Sequence, residues 1–282
     1  MSIYDNDSTT NRITTLIFDV DDTLYDVNTK FTEKRNGTAV YEFMVQYLHF
    51  PNVEAAKVVR DEYFERYHAT AKGLQIAEQE GRFPRIENMK ENEELDGEPR
   101  FKVQDLSNYW ATQLDYSLLG GRKSKLIQDL TELREVNKNI QLIAFSNGPR
   151  DYVIRVLQEL GLWGSIFSAE TLFAVDDVLP YCKPEKEAFE LIFTKLGLNV
   201  LPHECVMVED SMKNIRSAKA LGMKTVFVSG STNKVVEGNV DKISNKISDE
   251  SNDPSFDVAI ETIEEIRGAL PSLWESPSVF KT

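Results

Sequence analysis

The sequence predicts an α/β protein: a parallel sheet with helices on both faces and a helical block inserted after the first strand. Three observations carry that expectation. From about residue 120 onward, short apolar runs rich in β-branched residues alternate with amphipathic stretches, the pattern of repeated βα units. The first apolar run of the chain, Thr14 to Phe18, is continuous rather than alternating, as strands buried on both faces are. Between the first run and the rest, residues 27–116 take on helical spacing throughout.

Taken in order, Thr14-Thr15-Leu16-Ile17-Phe18 is short, β-branched and aromatic, and ends in acids, so it predicts a buried strand. Ala39, Phe43, Val45 and Leu48, then Val58, Tyr63, Phe64 and Tyr67, recur at roughly helical intervals. Within that block Gly81 to Arg100 is crowded with charge, including Glu91, Glu93, Glu94, Asp96 and Glu98, and predicts a solvated loop. Lys125 to Val136 predicts a helix with Leu126, Leu130 and Leu133 on one side, and Ile140 to Phe145 a second buried strand. Arg150 to Leu160 predicts a helix closed by Gly161, a residue suited to a C-terminal cap. Ser165 to Phe173 predicts a third, weaker strand region. A helix over Glu185–Leu196 precedes Gly197, a strand covers Cys205–Val208, and a helix over Asn214–Leu221 stops at Gly222. Thr225–Val228 predicts another strand. Ser229 to Ser255, rich in Ser, Asn, Asp and Lys, predicts a long surface loop. Val258–Ile260 predicts a last strand and Glu261–Leu270 a closing helix. The domain division that follows is a core over residues 1–26 and 117–282 and a helical insertion over 27–116.

Composition narrows the function classes. The 282 residues are 41% hydrophobic and 28% charged, ordinary for a globular enzyme and wrong for a disordered or collagen-like chain. Acids outnumber Lys plus Arg by 46 to 32, a net charge of −14, which argues against nucleic acid polymers and anionic membranes as partners. A small anion could still bind through a local cation or a metal. No stretch approaches the roughly 18 apolar residues needed to span a bilayer. Met1 to Arg12 is polar and lacks the basic region and apolar core of a secretory signal. Cys182 and Cys205 are too few for a disulfide framework and sit beside apolar runs, so they are expected as reduced, buried thiols. A cytoplasmic location is the simplest expectation. The oligomeric state is not legible.

Four clusters carry chemistry. Asp19-Val20-Asp21-Asp22-Thr23 leaves the first strand with three acids in four positions, costly unless a counter-charge is near. Hard oxygen donors suit magnesium. Side-chain alternation would put Asp19 and Asp21 on one side and turn Asp22 away. One carboxylate could then act as nucleophile and its neighbour as acid and base. Ser146-Asn147-Gly148, after the second strand, offers a hydroxyl, an amide and a flexible backbone to phosphate oxygens. Lys183, before Pro184 and a helix, could add a point charge. Glu209-Asp210-Ser211, ending another strand, could complete a metal site. Each cluster also has an ordinary reading: a turn, a surface lysine, or a helix cap. Together they meet at one edge of one sheet, where ligands bind.

In order and spacing these motifs (Asp-Val-Asp-Asp-Thr, Ser-Asn, Lys-Pro, Glu-Asp-Ser) resemble those of the haloacid dehalogenase (HAD) superfamily, over about Leu16 to Val228. The resemblance implies a Rossmann-like core and a small α-helical cap between the first and second motifs. It also implies a nucleophile at Asp19, a general acid and base at Asp21, and magnesium on Asp19, Asp21 (through its main-chain carbonyl), Asp210 and Glu209. Ser146, Asn147 and Lys183 would hold the phosphoryl group. Asp21 matches the phosphatases and phosphomutases of the superfamily; the dehalogenases lack an acid there. Thr23 is expected to secure the turn.

Phe18 to Tyr25, the cap segment Tyr63 to Leu74, and Cys182-Lys183-Pro184-Glu185 with Ala188-Phe189 are similar to the pyrimidine 5′-nucleotidases of fungi and plants. In that family Tyr-Gly is usual where Tyr67-His68 stands here, while Gly73-Leu74 is kept. The resemblance therefore implies a small phosphorylated metabolite, a nucleotide, as substrate, with Tyr63, Phe64, Tyr67, His68 and Lys72 near its leaving group. The alternative it leaves open is a phosphatase for phosphoglycolate or a sugar phosphate, or a phosphomutase.

Overall fold

A computed structural model describes residues 12–85, 98–197, 200–231 and 254–275. The expected acidic loop at Gly81–Arg100, the polar stretch Ser229–Ser255 and the N-terminal segment lie largely outside those residues.

Six strands form one parallel sheet in the order β3-β2-β1-β4-β5-β6. They are β1 (Thr15–Phe18), β2 (Gln141–Phe145), β3 (Leu172–Phe173), β4 (Cys205–Glu209), β5 (Lys224–Val228) and β6 (Val258–Ile260). β1 lies between β2 and β4, in register Thr15 to Gln141 on one side and Thr15 to Cys205 on the other. All four of its residues are buried, which is why its sequence is continuously apolar apart from Thr15. The strand order reverses around β1, so the crevice at its C-terminal end is where this topology binds ligands.

The helices are α1 (Phe31–Lys34), α2 (Val40–Leu48), α3 (Val53–Tyr67), α4 (Thr70–Gln79), α5 (Val103–Gln113), α6 (Ser124–Val136), α7 (Arg150–Glu159), α8 (Val175–Val178), α9 (Lys186–Leu196), α10 (Met212–Ala220) and α11 (Ile266–Ala269). α1–α5 form the helical insertion between β1 and α6. Asn52 caps α3 by accepting the Ala55 N–H at 2.8 Å. α3 and α4 cross closely because Gly73 has no side chain: a Cβ there would lie 3.2 Å from Tyr63 Cβ. α7 ends at Gly161, whose φ of +69° suits the turn after the helix, and whose missing Cβ leaves room for Arg122.

The third strand differs from expectation. Ser165–Phe173 contracts to Leu172–Phe173, and Trp163 and Phe167 form only an isolated bridge. The apolar residues of that stretch, Ile166 and Phe167, are buried as a turn against the core rather than as a ladder. α10 begins two residues before the expected Asn214, and the closing helix is a 3-10 turn over Ile263–Glu265 followed by α11. Cys182 and Cys205 are free, buried thiols, and burial pushes both up to about 12. No helix among the described residues is long and apolar enough to cross a membrane.

Candidate active site

At the C-terminal end of β1 the chain turns under a cavity of about 480 Å³. The Asp19 N–H donates to the Val208 carbonyl at 2.9 Å, which anchors the first acid beside β4. The Leu24 N–H then closes onto the Val20 carbonyl at 3.0 Å, and Asp22 takes a φ of +56°. The backbone has therefore left the extended conformation, and alternation no longer sorts the side chains. Asp19, Asp21 and Asp22 all line the cavity. Asp22 reaches the cavity wall, but it stands outside the carboxylate cluster of Asp19, Glu209 and Asp210 that could hold a metal, in keeping with the expectation that it turns away from the metal.

Lys183, 1% exposed, reaches in from the loop between α8 and α9. Its ammonium donates to Asp19 Oδ1 at 2.6 Å, to Glu209 Oε2 at 2.9 Å and to the Phe145 carbonyl at 2.8 Å. These three bonds use all the donors an ammonium has. Burial alone would lower Lys183, but the Asp19 and Glu209 carboxylates more than offset it and hold the group above its ordinary value. Asn147 holds the loop that delivers it: its side chain donates to the Lys183 carbonyl at 2.8 Å and accepts the Lys183 N–H at 2.9 Å. One N–H and the oxygen of its amide are thus turned to that loop. Ser146 Oγ accepts the Gly148 N–H at 2.9 Å, which leaves its proton for an acceptor in the cavity.

Asp19, Glu209 and Asp210 place carboxylate oxygens within 4.8 Å of one another. Thr23 Oγ1 lies 3.4 Å from Asp19 Oδ2 and 3.2 Å from Asp210 Oδ1, tying the turn after β1 to the end of β4. Burial and then Glu209 push Asp19 up to about 8, although Lys183 opposes the rise. Burial, Glu209 and Asp19 hold Asp210 well above the usual carboxylate range, and burial with Asp21 raises Asp22 to about 6. Three clustered carboxylates against one ammonium form a hard oxygen donor set in want of positive charge, which fits a divalent cation such as magnesium.

Asp21 is held separately. Its carboxylate accepts from Tyr25 at 2.7 Å, from Tyr152 at 2.5 Å and from the Arg35 guanidinium. Arg35 comes from the helical insertion and Tyr152 from α7 of the core. Arg35 also donates to Tyr152 Oη at 2.8 Å and lies over the rings of Trp110 and Tyr152, 5.1 and 4.9 Å from their centroids. The insertion is therefore docked on this acid. Sequence reasoning missed Arg35 and Tyr152, which lie 14 and 131 residues from Asp21 and belong to no local motif. Tyr25, four residues on, was the one partner that local spacing could have found.

Of the segment Tyr63–Leu74, Phe64, His68, Ala69 and Thr70 line the cavity. Tyr63 is buried inside the insertion, its hydroxyl on Glu80, and Tyr67 packs beside it with ring centroids 6.2 Å apart. Lys72 is bound to Glu185 at 2.6 Å and so fastens α4 to the core.

The family model described as haloacid dehalogenase-like hydrolase matches residues 13–222, and the chain belongs to that family. Among solved structures it is similar to L-2-haloacid dehalogenase from Xanthobacter autotrophicus with chloropropionic acid covalently bound. Identity is 17% and the TM-score 0.51, over 92% of this chain and 98% of that one. It is also similar to a HAD phosphatase from Thermococcus onnurineus, at 20% identity and a TM-score of 0.50 over 90% and 96%. A β-phosphoglucomutase from Clostridium difficile gives 18% and 0.50 over 93% and 97%. At such identities these likenesses show the shared fold. No curated protein matches the sequence.

Proposed function

We propose that the protein is a magnesium-dependent phosphomonoesterase of the cytoplasm. It works through an aspartyl-phosphate on Asp19, and its substrate is a small soluble ester, a pyrimidine nucleoside 5′-monophosphate by resemblance. The observation that carries the reading is that one cavity holds two carboxylates in different settings. Asp19 sits in an acidic, lysine-bound cluster, and Asp21 is held apart by Tyr25, Tyr152 and Arg35. A nucleophile alone serves several hydrolases. A second, separately held acid is what proton transfer to a leaving alkoxide requires.

Asp19, Glu209 and Asp210 would hold magnesium, with the Asp21 main-chain carbonyl as a further ligand. When bound, the ion supplies the positive charge that offsets repulsion between a carboxylate and a phosphate. Asp19 attacks phosphorus in line, the bond to the leaving oxygen breaks, and Asp21 gives that oxygen a proton. Asp21 then takes a proton from water, whose oxygen attacks phosphorus and releases inorganic phosphate and the free Asp19 carboxylate. Lys183 orients Asp19 and spreads its charge; with Ser146 and the Asn147 main chain it would face the transferring group. Residues 27–116 act as a cap over the core formed by 1–26 and 117–282, excluding water and reading the leaving group.

The test is phosphate release from UMP, CMP, AMP, GMP, phosphoglycolate, sugar phosphates and an aryl phosphate, with magnesium and with a chelator. Magnesium-dependent release fastest on UMP and CMP is the expected result. Release only from another ester would overturn the substrate and keep the chemistry. No release from any ester by folded, magnesium-loaded protein would overturn both.

A further inference from the structure

Resting on the phosphomonoesterase reading, we infer that Lys213 and Phe64 form the specificity site for the leaving group: Phe64 stacks on a flat heterocycle while the Lys213 ammonium binds its carbonyl oxygen, as in a pyrimidine base. Of the other cations on the cavity, Lys183 and Arg35 are spent on Asp19, Glu209 and Asp21, and Arg216 has a partner of its own. Lys213, from the first turn of α10, is not spent on an acid. Its hydrogen bond is to His68 Nε2 at 3.0 Å, and it pairs with no carboxylate among the described residues. An ammonium can only donate, so His68 Nε2 is the acceptor, and burial with the neighbouring ammonium lowers His68 in the direction of the neutral ring. The Lys213 charge is thus placed by its partner without being cancelled.

His68 follows α3 in the left-handed conformation, with its N–H on the Phe64 carbonyl at 2.8 Å. That turn puts Phe64 and His68 one helical turn apart on the same wall of the cavity. Phe64 is half-buried, and the buried Arg60 guanidinium lies 4.1 Å from its ring centroid. Arg60 does not line the cavity, so it backs the ring and helps hold it as a platform. A flat apolar surface beside an uncancelled donor suits an aromatic ring that carries an acceptor oxygen. The cavity volume of about 480 Å³ leaves room for such a ring beyond the phosphoryl group. The seam lies between insertion and core, so the leaving group would be bound by both at once.

The test compares wild type with Lys213→Met, Lys213→Arg and Phe64→Leu, measuring kcat and KM with magnesium on UMP, CMP, AMP, phosphoglycolate and an aryl phosphate. Lys213→Met should lower kcat/KM on UMP and CMP relative to the aryl ester by about 10- to 100-fold, mainly through KM. Phe64→Leu should lower kcat/KM on UMP and CMP relative to phosphoglycolate, whose leaving group has no ring to stack, and Lys213→Arg should restore much of what Lys213→Met loses. An equal loss on every ester would overturn the inference and leave the phosphatase reading standing. So would a loss confined to phosphoglycolate, which would make Lys213 a carboxylate site, or a wild type that prefers AMP. A wild type inactive on all the esters would overturn both.

Discussion

Removing Lys183 is the sharpest test of how the site is balanced. Lys183→Met deletes an ammonium with three buried bonds and leaves Asp19 and Glu209 facing each other, with Asp210 beside them. Breaking a buried ion pair on one side costs about 3–5 kcal/mol. At about 2–4 °C per kcal/mol for a chain of this size, the melting temperature in chelator should fall by about 6–20 °C. The loss should also depend on pH. Asp19 stands at about 8 in the folded protein against an ordinary 3.8, because burial and Glu209 favour the protonated form. A carboxyl with a raised folded pKa binds protons more readily when folded, so stability falls as pH rises between those two values. Lys183 opposes that rise, and without it the folded pKa climbs further. The gap between variant and wild type should therefore be small near pH 4 and widen toward pH 8. Millimolar magnesium, by supplying the missing charge, should raise the variant's melting temperature more than the wild type's. Thermal unfolding followed by circular dichroism at pH 5 and pH 8, with chelator and with magnesium, measures all of this. A fall below about 2 °C in chelator, or an equal fall at both pH values, would refute the electrostatic account of the cluster.

Four further outcomes follow from the same geometry. Asp19→Asn should cut phosphate release by at least about 10⁴-fold with an unchanged circular dichroism spectrum, since it removes the proposed nucleophile. Asp21→Asn should lower kcat by about 10²- to 10⁴-fold on alkyl esters and much less on an aryl ester, whose leaving group needs little protonation; steady-state kinetics on the two classes checks this. Tyr152→Phe, which takes one donor from Asp21, should lower kcat on alkyl esters by about tenfold while KM stays near wild type. Magnesium affinity measured by calorimetry should rise with pH up to about 8, with protons released on binding, because the ion must displace the proton that burial favours on Asp19. Saturation at 100 times Kd should stabilise the fold by about 2.7 kcal/mol.

How much of this was legible in the sequence follows from the range over which each cause acts. β1 was legible because a strand buried on both faces has to be continuously apolar, and Leu16-Ile17-Phe18 is. The acids at its exit were legible because four residues hold them together. β3 was not. Ser165–Phe173 carries the composition of a strand, but Ile166 and Phe167 satisfy their burial in a turn, and burial is all that composition reports. Asp22 stays out of the metal-binding cluster as expected, but it still lines the cavity, because alternation is a property of extended backbone and the chain abandons that conformation by Asp22.

The holders of Asp21 show the deeper limit. Arg35 would be an ordinary helix residue anywhere else in the insertion. It becomes part of the site only because the fold brings the insertion against α7, where Tyr152 and Trp110 cover its guanidinium and Asp21 takes its charge. Motif residues announce themselves by chemistry that would be costly without a partner, as three adjacent acids are. Their partners, buried aromatics and single cations, cost nothing unusual in sequence terms and carry no mark. The same asymmetry holds at the other end of the cavity. The Glu-Asp-Ser motif marks Glu209 and Asp210, while Lys213, three residues beyond Asp210, reads as a solvated lysine until the fold sets His68 against it. The residues proposed to do the chemistry are therefore recoverable from local sequence, and those proposed to choose the substrate have to be read from how insertion and core pack together.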